Sequence, residues 1–426
     1  MSIGGFIRRN VYWAKDIIFN NSIVLKQYED IKEVLEDYQI GKQKVDIYLS
    51  NILNHAVDTT VYYKGYKGKK LSEFPVVNKM IYKDYYDLFI SSIYKGKKLH
   101  RMSTSGSTGT PFTIVQDKRK RSRVIAELKL FGEFCGYRQH EKMVFLRVLS
   151  EETRKPRYIE FLQNIYRLDI TNLNEANLER IISYIKDNKV EAILLYSSTL
   201  DELVRYLEKK GCSLRNYYVK TVIAGGEALN IETRKKARNI FGDNCCIVSR
   251  YSNQEMGILG QDSNESSGFK LNHGSYYFEC LRLDSDEPVE EGEVGRIVIT
   301  DLFNYAFPMI RYDTGDLGIM VNHDSGWSVL KEIYGRRRDV IFNTKGEPVS
   351  PATISIYMWK VRSVRQWQFI QENTREYCLK INGNPDHSLN VMLNKLKAVI
   401  GEDAIINIQY VKEIPVLHSN KRRNTI

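Results

Sequence analysis

Between Lys142 and Gly226 three short apolar runs alternate with amphipathic stretches, and this alternation limits the possible folds more than any other feature of the chain. The runs KMVFLRVL (142–149), EAILLY (191–196) and KTVIAGG (220–226) are too short for buried helices and rich in aliphatic residues, so they read as buried strands. ANLERIISYIKDN and STLDELVRYLEKKG, which separate them, repeat apolar residues at helical spacing, and the second stops at Gly211. A βαβα order of this kind predicts an α/β domain with at least partly parallel strands. SYYFECLRL and GRIVITDL then suggest an antiparallel section. Beyond Tyr334 the texture changes. Strand-like RQWQFIQ, helical SLNVMLNKLKAVIG and strand-like INIQYVKE have the mixed composition of a small α+β domain of roughly 90 residues. The chain therefore divides into a large N-terminal domain, 1–334, and a small C-terminal domain, 335–426.

With 42% hydrophobic residues in 426, a sizeable core can form and disorder is excluded as the main reading. Lys and Arg exceed Asp and Glu by 63 to 52, a net charge of +11 that suits polyanions such as nucleotides, nucleic acids or acidic membrane faces. The basic loop YYKGYKGKK (62–70) reads as solvated, and with no base-reading module in the sequence no specific nucleic-acid partner is expected. Six cysteines without a C-x-x-C pair form neither a disulfide framework nor a zinc pattern, and the spacing of His273, Cys245, Cys246 and Cys280 matches no standard zinc site. No apolar run is long enough to span a bilayer, and Arg8, Arg9 and Lys15 interrupt the N-terminal stretch before a signal-peptide core can develop, so a cytoplasmic location is expected. That stretch reads as an amphipathic helix carrying Phe6, Ile7, Trp13, Ile17 and Ile18. Packing on its own domain is the expectation, with weak docking on a membrane surface as the alternative. A second helix is expected from Tyr28 to Gln39, with Gly41 as its stop.

The segment TSGSTGTP (Thr104–Pro111) carries the strongest chemical signal. Gly106 and Gly109 let backbone N–H groups approach an anion, and the hydroxyls of Thr104, Ser105, Ser107 and Thr108 add donors for phosphate oxygens. It is not a Walker A loop: no Gly-Lys-Ser/Thr closes it, and PFTIVQD after it looks like a strand. Taken alone, the segment fits a phosphate cradle and an ordinary Ser/Gly turn equally well.

Downstream follow, in order, AGGEALN (224–230), YSNQEMG (251–257), RYDTGD (311–316), YGRRRD (334–339) and SNKRRNTI at the end. From about Phe74 onward this series resembles the adenylate-forming superfamily of acyl-CoA synthetases, luciferases and peptide-synthetase adenylation domains. Within it, the branch of phenylacetate-CoA ligases and CapK-type capsular polysaccharide biosynthesis proteins is the nearest. Phe112 stands where the wider superfamily has Lys after the loop proline, a departure this branch shares, and the approach LSEFPVVNKM also looks like this branch. The first seventy residues match nothing specific.

The resemblance implies an adenylate-forming N-terminal domain of mixed sheets and helices with a small mobile C-terminal α+β lid. By resemblance, Thr104, Ser105, Gly106, Ser107, Thr108 and Gly109 hold the β- and γ-phosphates of ATP, and Glu255 ligates the Mg²⁺ that bridges them. Gly225, Gly226 and Glu227 line one side of adenine, and Tyr251 stacks on the other. Asp316 accepts hydrogen bonds from the ribose hydroxyls, Arg336 lies close to the ribose, and Arg311 contributes a cation near the phosphates. Asp339 resembles the hinge of the lid, and Lys421 the lysine that reaches the α-phosphate and the carboxylate. Gln254 and Asn420 depart from the usual Ser/Thr and Gly at their positions. Phe131, Phe134, Tyr137 and Tyr196 are apolar candidates for the acid pocket.

The implied activity is an ATP- and Mg²⁺-dependent ligase that activates a carboxylic acid as an acyl-adenylate, releases pyrophosphate and passes the acyl group to an acceptor. The acceptor expected is an amine or hydroxyl of a cell-surface polysaccharide precursor, with the thiol of coenzyme A as the alternative. A non-catalytic nucleotide- or polyanion-binding protein on the same scaffold is the rival from another class.

Overall fold

The computed structural model describes residues 3–103, 112–149, 154–263, 268–336, 341–346, 348, 349, 354, 357, 358, 361, 364–384 and 387–414. Thr104, Ser105, Gly106, Ser107, Thr108, Gly109, Asp339, Lys421 and the side chain of Arg336 lie outside the described residues.

The three apolar runs of the middle region become parallel strands, β3 (Met143–Arg147), β5 (Ala192–Tyr196) and β6 (Thr221–Gly225), and two further strands that their sequences did not announce, β4 (Ile165–Asp169) and β7 (Cys246–Asn253), join them in the order β4-β3-β5-β6-β7. Parallel pairing demands crossovers; the two amphipathic stretches supply them as helices Glu175–Asp187 and Ser197–Lys209, and Ile231–Phe241 adds another. Their Leu178, Ile181, Leu200, Leu203, Ala237 and Ile240 pack with Val144, Ile193 and Val222 of the strands into one core. Beyond β7 the sheet continues antiparallel through β8 (Gly257–Asp262), β9 (Phe269–Leu271), β13 (Ser328–Arg336), β12 (Tyr312–Asn322), β11 (Val294–Asp301) and β10 (Tyr276–Leu281). Eleven described strands thus form one mixed sheet. PFTIVQD holds a strand, Thr113–Gln116, paired with His100–Ser103 in a separate hairpin.

The N-terminal residues fold otherwise than their periodicity suggests. Helix α2 runs Ile23–Glu36 and stops at Asp37, whose extended backbone and side chain cap the next helix, α3 (Tyr38–Thr59), through the Ile40 N–H at 3.0 Å. Gly41 therefore does not stop a helix but lies inside one. It is there because α3 crosses α2 closely: a Cβ at this position would strike the Val34 carbonyl and come within 2.8 Å of the Trp327 ring. The first helix, α1 (Ile3–Phe19), forms as expected, yet of its large apolar residues only Trp13 packs inward, while Phe6, Ile7, Ile17 and Ile18 face solvent. Helix α6 (Lys118–Glu133) has a polar sequence but is buried along most of its length between α2 and the sheet.

A separate apolar cluster, including Trp367, Phe369, Leu379, Met392 and Leu396, is drawn wholly from residues 341–408. It covers a three-stranded sheet of Val364–Gln371, Glu376–Gly383 and Ile405–Tyr410 with helix His387–Ile400. EYCLKING, the central strand, is the one that inspection of the sequence misses. Among the described residues no helix is long and apolar enough to cross a membrane.

Candidate functional site

The sheet changes from parallel to antiparallel at β7, with β6 on one side and β8 on the other. Carboxyl ends of parallel strands at such a switch are where α/β sheets leave a crevice for ligands. Tyr196 and Gly225 end β5 and β6 there as register partners, and Gly225 faces Arg250, one residue before Tyr251. Gly226 has φ +78, which L side chains rarely adopt, and turns the chain sharply off the sheet. Glu227 is then tied to the start of the Ser197–Lys209 helix: its carbonyl accepts from the Ser197 hydroxyl at 2.9 Å and its carboxylate from the Ser198 N–H at 3.2 Å.

From the opposite half of the sheet, β12 brings Asp316 to the same crevice. The Tyr251 hydroxyl donates to Asp316 Oδ2 at 2.8 Å, joining residues 65 apart in sequence. Burial, and then the neighbouring Asp316 charge, raise the phenol far above its usual pKa, so it stays a donor. Local wiring aims the carboxylate. Asp313 accepts from the Gly315 N–H at 2.9 Å and from Arg296 at 2.9 Å, Thr314 donates to the Ile297 carbonyl at 2.8 Å, and Gly315 takes φ +78. Asp316 then donates its N–H to the Thr314 hydroxyl at 3.1 Å and lies in register with Arg336 of β13.

Glu255 sits in the turn between β7 and β8, buried. Its Oε1 accepts from the Tyr312 hydroxyl at 3.4 Å, and its carbonyl from the Gln116 amide at 3.1 Å. Gln116 ends the hairpin that begins with Ser103 and Thr113, whose hydroxyls are 2.8 Å apart on the two flanks of the Ser/Thr/Gly segment. Tyrosines thus tie both carboxylates across the sheet: Tyr312 of β12 bonds Glu255, and Tyr251 of β7 bonds Asp316. Gln254 beside Glu255 is exposed.

Beneath this turn lies a buried polar network. Lys120 Nζ is 2.7 Å from Asp301 Oδ2 and donates to the Tyr276 hydroxyl at 3.1 Å. Tyr276 in turn donates to the Met256 carbonyl at 2.7 Å, and Glu127 accepts the Ile258 N–H at 3.2 Å. Burial pushes the Glu127 carboxyl upward in pKa. Adjacent Gly257 has φ +128, and a Cβ there would lie 2.6 Å from Glu127 Oε2, so the turn and the network are fitted to one another. Sequence reasoning missed Tyr312, Gln116, Tyr276, Lys120 and Glu127. The one available signal was the helix-face spacing of Lys120 and Glu127 in α6.

Arg311 does not join the cluster. Its guanidinium is buried and turned away, and all five of its N–H groups have protein acceptors. These are the Ser72 and Phe74 carbonyls at 3.2 and 2.9 Å, the Asp286 carbonyl at 3.2 Å, and both oxygens of Glu279 at 3.1 and 3.2 Å. It anchors the chain at φ +46 at the head of the motif and ties the 72–74 segment to β10, so it has no N–H to offer a phosphate. A cavity of about 460 Å³ lined by Lys70, Leu71, Ser72, Tyr277, Glu279 and Pro288 opens beside this anchor, with no side chain of the carboxylate cluster in its wall. Of the four pocket candidates, Phe131 is core, packed with Val24, Ile31 and Leu35, and Tyr137 is buried with Met143 and Val248. Phe134 is exposed beside Lys270, and Tyr196 alone adjoins Gly225.

Among the described residues no three His, Cys, Asp or Glu side chains group as metal ligands. Magnesium carried by phosphate oxygens and water needs only one or two carboxylates, and the buried Glu255 fits that requirement. His273 is otherwise engaged, bonded through Nε2 to the Ser328 carbonyl at 2.9 Å and stacked 4.4 Å from Trp327.

Residues 341–426 match the CapK C-terminal domain family. Over 98% of its length the chain is 22% identical to Protein CapK of Staphylococcus aureus, 98% of which is covered. It is 24% identical to the phenylacetate-coenzyme A ligase of Thermus thermophilus over 60% of this chain and 57% of that one. Its fold is that of a 2-hydroxyisobutyryl-CoA ligase solved in complex with an acyl-AMP, with TM-score 0.71 at 15% identity over 90% of this chain and 89% of the other. A mixed sheet with its polar crevice at the parallel-to-antiparallel switch, and likeness to CapK along nearly the whole chain, lead to one conclusion: the chain is similar in fold and sequence to adenylate-forming proteins of the phenylacetate-CoA ligase and CapK type.

Proposed function

We propose that the protein is an ATP-dependent ligase that activates a carboxylic acid as an acyl-adenylate and transfers the acyl group to an amine or hydroxyl of a cell-surface polysaccharide precursor in the cytoplasm. The observation that carries this reading is the convergence of Tyr251, Asp316 and Glu255, from both halves of the sheet, on the crevice where β6 ends. In the first half-reaction a carboxylate oxygen attacks the α-phosphorus of ATP, the bond to the β-phosphate oxygen breaks, and pyrophosphate leaves. Negative charge then builds on both sides of the phosphorus and must be met by fixed donors and cations.

In this reading the Tyr251 ring packs on one face of adenine, and the backbone of Gly225, Gly226 and Glu227 borders the other. Asp316, fixed by the Tyr251 hydroxyl, accepts from the ribose hydroxyls, with Arg336 close by. The hydroxyls and backbone of Thr104–Gly109 hold the β- and γ-phosphates. Glu255 holds magnesium, which when bound neutralises phosphate charge. Lys421 brings an ammonium to the α-phosphate and the acid, and rotation of the domain 335–426 about Asp339 withdraws it for transfer. Arg311 has no part in the chemistry.

Similarity to CapK along the whole chain favours the sugar acceptor. Similarity to phenylacetate-CoA ligase favours a second reading in which coenzyme A supplies the nucleophile. Exchange of labelled pyrophosphate into ATP, dependent on added carboxylic acid and magnesium, tests the activation step. An absence of exchange across aryl, fatty and amino acids, with nucleotide still bound, would point instead to the non-catalytic reading. Hydroxylamine trapping over the same panel identifies the acid, and thioester formation with coenzyme A decides between the two acceptors.

A further inference from the structure

Helix α1 is oriented against the usual rule for a surface helix. Its inward stripe is Gly5, Arg9, Tyr12 and Asp16, held by polar contacts. Asp16 caps α2 through the Val24 and Leu25 N–H groups at 3.1 and 3.0 Å, and Arg9 lies 3.6 Å from Glu133. The Tyr12 and Trp13 rings cover the Lys129 ammonium at 3.7 and 5.1 Å. The opposite stripe, Ile3, Ile7, Val11, Ala14 and Ile18, follows helical spacing and faces solvent, flanked by Phe6 and Ile17. Ile3 is 82% exposed and Ile18 67%, although isoleucine is among the residues most often buried. Next to it, helix Arg157–Gln163 exposes Tyr158, Phe161 and Leu162, with Arg8 lying 4.3 Å over the Phe161 ring.

Among the described residues, the exposed charges of α1 and of the Arg157–Gln163 helix are cationic. Lys15, Lys155 and Arg157 are exposed and without a carboxylate partner among the described residues. The described acids of these two helices, and Glu133 beneath α1, are turned inward or paired: Asp16 on α2, Glu133 with Arg9, Glu160 with Arg167. Two copies joined through this face would bring like charges together, whereas an anionic headgroup layer meets them with opposite charge. We propose that α1 is a docking helix for an anionic lipid surface, with the Ile3–Ile18 stripe entering the acyl boundary and Lys15 and Arg157 at headgroup level. The helix is held in this pose before any lipid arrives, so binding does not have to order it.

Co-sedimentation of the full chain with vesicles of phosphatidylglycerol and phosphatidylcholine, compared with phosphatidylcholine alone, tests the proposal. Strong binding to the anionic vesicles that weakens with salt is expected. The double variant Ile7→Gln, Ile18→Gln should lower it by about tenfold or more, since each side chain leaves the apolar layer. Lys15→Glu should lower it further, and thermal unfolding should stay as in the parent chain because these side chains touch no core. Equal or absent binding to both vesicle types would overturn the proposal. So would a dimer, seen by sedimentation velocity, that the double variant dissociates.

Discussion

Replacing Asp316 by Asn separates a ribose-binding carboxylate from one that merely packs. A carboxylate offers about four acceptor sites, and the Tyr251 hydroxyl fills one at 2.8 Å. Asparagine keeps the shape and one acceptor oxygen, so Tyr251 retains a partner and the fold should stand. Its amide group, however, presents N–H donors where a sugar hydroxyl needs an acceptor. Hydrogen bonds to a charged group contribute about 1.5–3 kcal/mol each. Losing one outright and the charge assistance of the other predicts a loss of about 2–3 kcal/mol, or roughly 30- to 150-fold in kcat/KM for ATP. Pyrophosphate exchange with ATP and with 2′-deoxy-ATP, in parent and variant, completes a double-mutant cycle. The parent should prefer ATP by roughly tenfold or more, and the Asn variant should lose most of that preference. Undiminished discrimination in the variant, with unfolding unchanged, would refute the assignment of Asp316 to the ribose.

Glu255→Gln should reduce exchange by about 100-fold and raise the magnesium concentration needed for half-maximal rate, because a neutral amide is a poor ligand for a hard cation; titrating magnesium checks it. Lys421→Ala should slow adenylation by two or more decades, about 3 kcal/mol, and an unchanged rate would remove its assigned role. Gly41→Ala should destabilise the protein by about 1–3 kcal/mol in urea unfolding, since its methyl meets the Val34 carbonyl and the Trp327 ring. Burial holds the His273 imidazole down to about 4, so the unfolded chain protonates first as pH falls below 6.5. Stability from this group is complete above that pH and is lost on the way to pH 4, by about 2 kcal/mol between pH 7 and 5. Unfolding across this range should show a shallower acid slope in His273→Phe.

Sequence alone made three strands and two crossover helices of the parallel block legible, because strand and helix periods are local properties; β4, β7 and the helix Ile231–Phe241 escaped it. The ordered motifs from Ala224 to Asp316 were legible for a similar reason: short-range turn chemistry, such as the Asp313–Thr314–Gly315 wiring, is written in consecutive residues. What escaped were features set by partners distant in the chain. Arg311 read as a cation for phosphate, but carbonyls 239 and 237 residues away at Ser72 and Phe74, with Glu279, take its guanidinium. The polar α6 sequence gives no sign of burial, which Asp301 and Asp30 make tolerable by pairing with Lys120 and Arg123 at 2.7 and 2.6 Å. Periodicity found α1 but could not say which face turned inward, since an apolar stripe can seek a core or a lipid surface. Only the packing of Asp16, Arg9 and Tyr12 against α2 and α6 decided that, because buried polar groups require specific partners and apolar ones do not.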